Sequence, residues 1–168
     1  MSVKRFIAYK KRDIKKKLNI LQVEDMGYWN EYDKFYSSIN CKDKSVLDIG
    51  SDIGSSAIWF IRNGAKHVTG FSKDKQYFEN PHYIHKQYNF EEISSIVKET
   101  KFDILKMDCE GCEWNFSIDF IKQFDDWIIA LHKPIMNNEL YNYIKDNGEY
   151  IGMVDNETEF ATYKKKII

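Results

Sequence analysis

Ser45-Val46-Leu47-Asp48-Ile49-Gly50-Ser51-Asp52-Ile53-Gly54 is the stretch on which the fold turns. Its first five residues are a short apolar run holding one acid, the run breaks at glycine, and helical spacing takes over from about Ser55 to Asn63. That is a strand, a tight turn and a helix. Gly64 stands where a helix C-terminus takes a left-handed residue, and His67-Val68-Thr69-Gly70-Phe71 opens a second strand just after it. A strand, a crossover helix and a strand in this order form a βαβ unit, whose connection makes the two strands parallel.

Toward the C-terminus the alternation continues. A weak strand is predicted at Tyr83 to Lys86, a helix from about Phe90 to Glu99, a strand at Phe102 to Met107 and a helix from about Asn115 to Phe124. Asp126 to His132 is apolar almost throughout, as a strand buried on both faces should be. After Pro134 a helix is expected over about Asn138 to Asp146, closed by Asn147-Gly148. Glu149 to Val154 and Glu159 to Tyr163 then flank Asp155-Asn156-Glu157-Thr158 as a hairpin. The pattern predicts an α/β architecture: a Rossmann-like, open, mainly parallel sheet with helices on both faces and a C-terminal antiparallel hairpin.

Toward the N-terminus the signal is helical. Phe6, Ile7, Ile14, Leu18 and Leu21 recur among lysines over Lys4 to Leu21, and Met26, Trp29, Tyr32, Phe35 and Tyr36 recur over about Asp25 to Tyr36. Residues 1–43 therefore read as a basic helical extension packed on a core domain of residues 44–168, a single domain overall. The 168 residues, 43% of them hydrophobic and 15% aromatic with only 2 prolines, suffice for one buried core and argue against disorder. Residues 1 to 17 carry eight Lys or Arg against Asp13 alone, and Lys164 to Lys166 add three more. Between those ends stand 14 of the 25 basic residues against 25 of the 26 acidic ones, a charge of about -11. Such a core disfavours generic nucleic-acid binding, while the basic arm is suited to RNA, DNA or an anionic membrane. Three cysteines without framework spacing, no signal-like apolar run and no stretch near the roughly 20 apolar residues of a membrane span lead to the expectation of a cytoplasmic protein without structural disulfides.

In open α/β sheets ligands lie at the carboxyl ends of the strands, at the topological switch point. There Asp48, Gly50, Asp52 and Gly54 alternate in a turn that lets backbone approach a ligand, and Ser55 and Ser56 begin a helix whose free N–H groups favour a carboxylate or phosphate. The turn lacks the later glycines of the dinucleotide fingerprint and the Gly-Lys-Ser/Thr of a P-loop. Acids at Asp48 and Asp52 suit a cofactor with a cationic centre and an amino-acid end better than a polyphosphate. A tight turn of purely structural purpose reads equally well from these residues alone.

A second motif, Lys106-Met107-Asp108-Cys109-Glu110-Gly111-Cys112-Glu113, closes the fourth strand. Together with Asp48-Ile49-Gly50-Ser51-Asp52-Ile53-Gly54 it resembles the FkbM-type family of S-adenosylmethionine-dependent methyltransferases, over about residues 44 to 164. The resemblance implies S-adenosylmethionine as cofactor, with Asp48, Gly50, Ser51 and Gly54 around its methionine part. It further implies that Asp108 and Glu110 lie between cofactor and substrate, and that His132 matches the histidine of a Glu-x-His pattern. O-methylation of an alcohol needs a base for the departing proton, and His132 is the candidate, oriented by Asp108 or Glu110. Asn89 falls where such enzymes place a contact to the adenine, and it is equally a turn-forming residue before a helix. Two positions depart from the family: Ser72, with Asp74 two residues on, stands where an acid binds the ribose, and Ala130 stands where the Glu of Glu-x-His is expected.

The expected acceptor is a small hydroxyl-bearing molecule such as a sugar. Two other readings stay open: a Rossmann-like module that binds a partner or nucleic acid without catalysis, and an RNA or DNA methyltransferase that holds its substrate with the basic arm. Cys109-x-x-Cys112 with His132 could in principle ligate zinc, but one such pair is a weak signal and no metal is expected. Asp108 and Glu110 as helix caps, with His132 a satisfied strand-end residue, remains the bland alternative.

Overall fold

The computed structural model describes residues 29–73, 80–152 and 159–166. The helix expected over Lys4 to Leu21, the start of the next one, Asp74 and the hairpin turn at Asp155 to Thr158 lie outside the described residues. Helix α1 (Trp29–Tyr36) leads into β1 (Ser45–Ile49), α2 (Ser55–Arg62), β2 (His67–Ser72), β3 (Tyr83–Gln87), α3 (Phe90–Glu99) and β4 (Ile104–Met107). A 3₁₀ turn (Cys112–Asn115), α4 (Ile118–Ile121), β5 (Asp126–His132), α5 (Asn138–Asn147), β6 (Gly148–Gly152) and β7 (Glu159–Lys165) follow.

The seven strands form one sheet in the order β3-β2-β1-β4-β5-β7-β6. The five from β3 to β5 are mutually parallel, and β7 runs antiparallel to both β5 and β6. This is the expected Rossmann-like architecture with its antiparallel C-terminal hairpin. Chain order reverses between β1 and β4, so the crevice beyond their carboxyl ends is the switch point.

Side-chain alternation divides the core between the two faces of the sheet. On one face Val46, Val68, Ile104 and Ile128 pack with Phe35 and Tyr36 of α1 and Ala57, Trp59 and Phe60 of α2. On the other, Leu47, Phe71, Leu105, Met107, Ile129 and Leu131 pack with Ile93 of α3, Phe120 of α4 and Leu140 and Ile144 of α5. Full burial of each such side chain contributes roughly 1.5–3 kcal/mol. Helix α2 stops as its sequence requires: Gly64 takes φ 93°, and the N–H groups of Gly64 and Ala65 reach back to Ile61 O and Phe60 O.

One predicted element differs. The helix expected from Asn115 to Phe124 is the 3₁₀ turn, a break and the short α4. Phe116 is extended (ψ 147°), and the Ser117 side chain accepts from Phe120 N to start a new helix, so a local cap overrides the helical spacing. The expectation of no disulfide is also corrected, because Cys109 and Cys112 are joined. Glu110 and Gly111, at φ 59° and 100°, turn the chain so that the two Cα atoms come within 5.4 Å. Disulfide sulfurs are not thiolate ligands, and among the described residues no cluster of His, Cys, Asp and Glu is arranged to hold a metal ion.

Candidate active site

The glycine loop is welded to its neighbours. Gly50 N and Ser51 N both donate to Phe71 O of β2, and Gly54 N closes the turn on Ser51 O. Gly50, Asp52 and Gly54 all have positive φ. A Cβ on Gly50 would lie 1.7 Å from Asp108 O, so this glycine is required by the close passage of the loop over the backbone beyond β4. Gly54 and Gly70 make room for Tyr83, whose hydroxyl stands 3.1 Å from Ser51 Oγ and 2.9 Å from His85 Nδ1. Tyr32 of α1 reaches the same edge, its hydroxyl 2.7 Å from Ser55 Oγ.

Asp48 ends up beneath the loop, fully buried. Ser56 Oγ donates to its Oδ2 at 2.6 Å, and Lys106 Nζ, the register partner on β4, lies 3.0 Å from its Oδ1. Lys106 Nζ also donates to Gly50 O at 2.8 Å. A charged pair at this depth tolerates its desolvation because it is both paired and hydrogen-bonded. Asp48 thus braces the turn from below, while Asp52 is half-buried in the turn itself.

A second cluster joins β4, the 3₁₀ turn and β5. Glu113, fully buried, accepts from His132 N at 2.7 Å and faces His132 Nδ1 at 3.1 Å with the same Oε1, while its Oε2 accepts from Gly111 N at 3.0 Å. An ionised carboxylate accepts only, so the proton on the imidazole is fixed at Nδ1. Nε2 points at Asp108 Oδ1, 3.5 Å away, and Trp114 Nε1 donates to His132 O. Burial alone would depress the His132 pKa, but the Glu113 hydrogen bond and the charges of Glu113, Asp108 and Glu110 outweigh it and hold the pKa above 6.5. The Asp108 side chain is 33% exposed and is the open end of the row; Glu110 is exposed beyond it.

Ser72 is buried at the end of β2, and its carbonyl accepts from Tyr88 N. Asn89 caps α3, accepting from Glu92 N at 3.0 Å, which is the helix-starting role its sequence context allowed. Every helix from α3 onward has such a side-chain cap, whereas α2, which starts on Gly54, has none. Of the residues singled out from sequence, Gly50, Asp108 and His132 come together at the switch point, with Ser51 and Gly54 in the same loop. Glu113, Lys106 and Tyr83 were not singled out. The signal for the first two was present, since they are the two ends of Lys106-x-Asp108-x-Glu110-Gly111-x-Glu113.

Two archaeal-virus proteins resemble the chain along most of their length. "Uncharacterized protein 65" of Sulfolobus islandicus filamentous virus (isolate Iceland/Hveragerdi) is 27% identical over 139 residues, covering 74% of this chain and 88% of the relative. "Uncharacterized protein 158B" of Sulfolobus islandicus rod-shaped virus 1 is 37% identical over 145 residues, covering 74% of this chain and 89% of the relative. The chain belongs to the protein 158B family. No protein-family model matches it. Solved structures share the fold of this chain. An O-methyltransferase from Bacillus cereus in complex with SAH superposes with a TM-score of 0.60 at 11% identity, covering 94% of this chain and 88% of that one. A protein described as a ribosomal RNA methyltransferase from Plasmodium falciparum gives 0.56 at 18%, covering 95% and 94%. At such identities the likeness is one of fold: this 158B-family chain has a Rossmann-like fold that known methyltransferases share.

Proposed function

We propose that the chain is an S-adenosylmethionine-dependent methyltransferase of FkbM type that methylates a hydroxyl of a small acceptor such as a sugar. The observation that carries this reading is the row Glu113–His132–Asp108 at the switch point, its open carboxylate on the residue whose carbonyl passes over Gly50. The donor set fits the cofactor. The uncapped start of α2 suits an amino-acid carboxylate. Asp108, partly open to the crevice, offers negative charge to a sulfonium. At the ribose end the chain offers the Ser72 hydroxyl in place of an acid.

Bound there, the cofactor supplies an electrophilic methyl group. Asp108 receives the acceptor hydroxyl and orients it, and His132 Nε2, free of a proton when the ring is neutral, accepts the hydroxyl proton as the oxygen takes the methyl. Glu113 keeps Nδ1 protonated and stabilises the imidazolium that results. Titration calorimetry with S-adenosylmethionine and S-adenosylhomocysteine tests the reading: saturable binding is expected, and no heat at millimolar ligand would sink it.

A nucleic-acid acceptor is the second reading. It is favoured by the eight basic residues in residues 1–17 together with the Tyr32–Ser55 contact, which pins α1 beside the glycine loop. Neutralising Lys10, Lys11, Lys15, Lys16 and Lys17 should then abolish salt-sensitive binding to RNA or DNA. Unchanged binding, or none by the parent protein, rejects it.

A further inference from the structure

The disulfide and the imidazole are two steps apart. Cys109 and Cys112 close a ring that contains Glu110 and Gly111, both at positive φ, and the Gly111 N–H inside that ring donates to Glu113 Oε2. The other oxygen of the same carboxylate holds His132 at its backbone N–H and at Nδ1. Cys109 Sγ itself lies 3.6 Å from Glu113 Oε2. All four residues of this path other than Gly111, namely Cys109, Cys112, Glu113 and His132, are buried, so water does not stand in for a contact that is lost.

We infer that Glu113 is a positioning residue for His132 and that its hold is set by the oxidation state of Cys109 and Cys112, the disulfide locking the site and its reduction releasing it. A dithiol reductant delivers two electrons to the sulfur–sulfur bond. With two protons, two thiols form, and the reductant leaves as its own cyclic disulfide. Two consequences weaken the carboxylate. The opened ring no longer constrains Glu110 to its left-handed conformation, which disfavours a residue with a Cβ, and the Gly111 N–H is free to turn away. The new Cys109 thiol, already beside Oε2, can donate to it and draw charge from the oxygen pair that faces His132. The imidazole then feels less of Glu113 and loses its proton more readily. The link to reaction rate rests on the proposed role of His132 as proton acceptor, whereas the positioning rests on the contacts alone.

The test is the His132 titration followed by NMR at the imidazole Cε1–H in the full chain, with and without a dithiol reductant. No cofactor is needed. The unreduced protein, once denatured, should show one reactive thiol, Cys41, and the reduced protein three. Reduction should move the His132 midpoint down by about one unit, the size expected when a close carboxylate loses its grip. Glu113→Gln should lower the midpoint in both states and remove the dependence on reductant. A Cys109→Ser/Cys112→Ser chain should stay at the reduced value, and circular dichroism reports whether each variant folds. An unchanged midpoint in the wild-type chain on reduction, or three reactive thiols before it, overturns the inference. Loss of the redox response alongside normal S-adenosylhomocysteine binding refutes this inference and not the methyltransferase reading; the converse pattern refutes the latter alone.

Discussion

Two clusters of buried charge stand side by side at the carboxyl edge of the sheet. In the first, Asp48, Lys106 and Ser56 satisfy one another, and both charged side chains are sealed, at 0% and 3% exposure. In the second, Glu113 and His132 are as deeply buried, yet the row ends in Asp108, a third of whose side chain meets solvent. A closed cluster can only hold structure. An open one can exchange a proton or a hydrogen bond with whatever occupies the crevice, so the difference in one residue's exposure separates scaffold from site. The two are joined where the loop meets the backbone beyond β4: Gly50 lies against Asp108 O, and Asp108 N donates to Ile49 O.

Breaking that joint should have the largest effect. Gly50→Ala places a Cβ 1.7 Å from a carbonyl oxygen at a backbone conformation with φ 83°, and neither strand can yield without disturbing the sheet. A loss above about 4 kcal/mol, in the range reserved for core disruption, is expected from denaturant unfolding, or no folded protein at all. A folded variant of near-parental stability would mean that the two clusters are not rigidly coupled.

Opening the closed cluster comes next. Lys106→Met leaves Asp48 buried without its counter-ion and should cost about 3–5 kcal/mol, while adding Asp48→Asn to it should restore most of the loss. A single-variant cost below about 1 kcal/mol would contradict the scaffold role.

The open cluster should respond less in stability and more in pH dependence. Glu113→Gln retains an acceptor for His132 N but loses the charge, for about 1–3 kcal/mol at neutral pH. In the parent protein, the folded pKa of His132 lies above its ordinary 6.5. The stability this provides is fully present below about 6.5 and is lost as pH rises through the folded value. Thermal unfolding should therefore show a declining limb in that window, and the limb should flatten in Glu113→Gln. Methyl transfer should rise over the same window as the neutral, accepting imidazole appears; a rate that falls there would remove His132 as the base.

Much of this was legible in the residues. The alternation of periods from Ser45 onward predicts the sheet, its helices and its hairpin, because apolar spacing and glycine positions act locally. The motif ending β4 marks the candidate site for the same reason. What local pattern does not carry is reach. Lys106 sits mid-strand in an apolar run, and only the β1–β4 register places it on Asp48. Glu113 looks like a helix-turn acid until Glu110 and Gly111 swing the chain round and aim it at a strand nineteen residues away. The disulfide goes with the same two positive-φ residues, and apolar spacing carries no signal for a left-handed Glu110. Asn89 could be read two ways, and its side-chain oxygen caps the start of α3.

Asp108→Asn is the smallest change to stability and the sharpest probe of the contrast. The side chain keeps its shape and is partly solvated, so unfolding should shift by no more than about 0.5 kcal/mol. Its charge is another matter. The oxygen facing Nε2 from 3.5 Å becomes either a neutral acceptor or an amide that competes for the imidazole lone pair, and in the proposed mechanism the acceptor hydroxyl loses the carboxylate that orients it. Methyl transfer should fall about 100-fold or more, with S-adenosylhomocysteine affinity much less affected. The His132 midpoint should fall as well, since Asp108 is one of the charges that raise it. If the rate held while the midpoint moved, Asp108 would be only an electrostatic neighbour, and the open end of the row would have to be sought at Glu110, whose exposed carboxylate also acts on the imidazole.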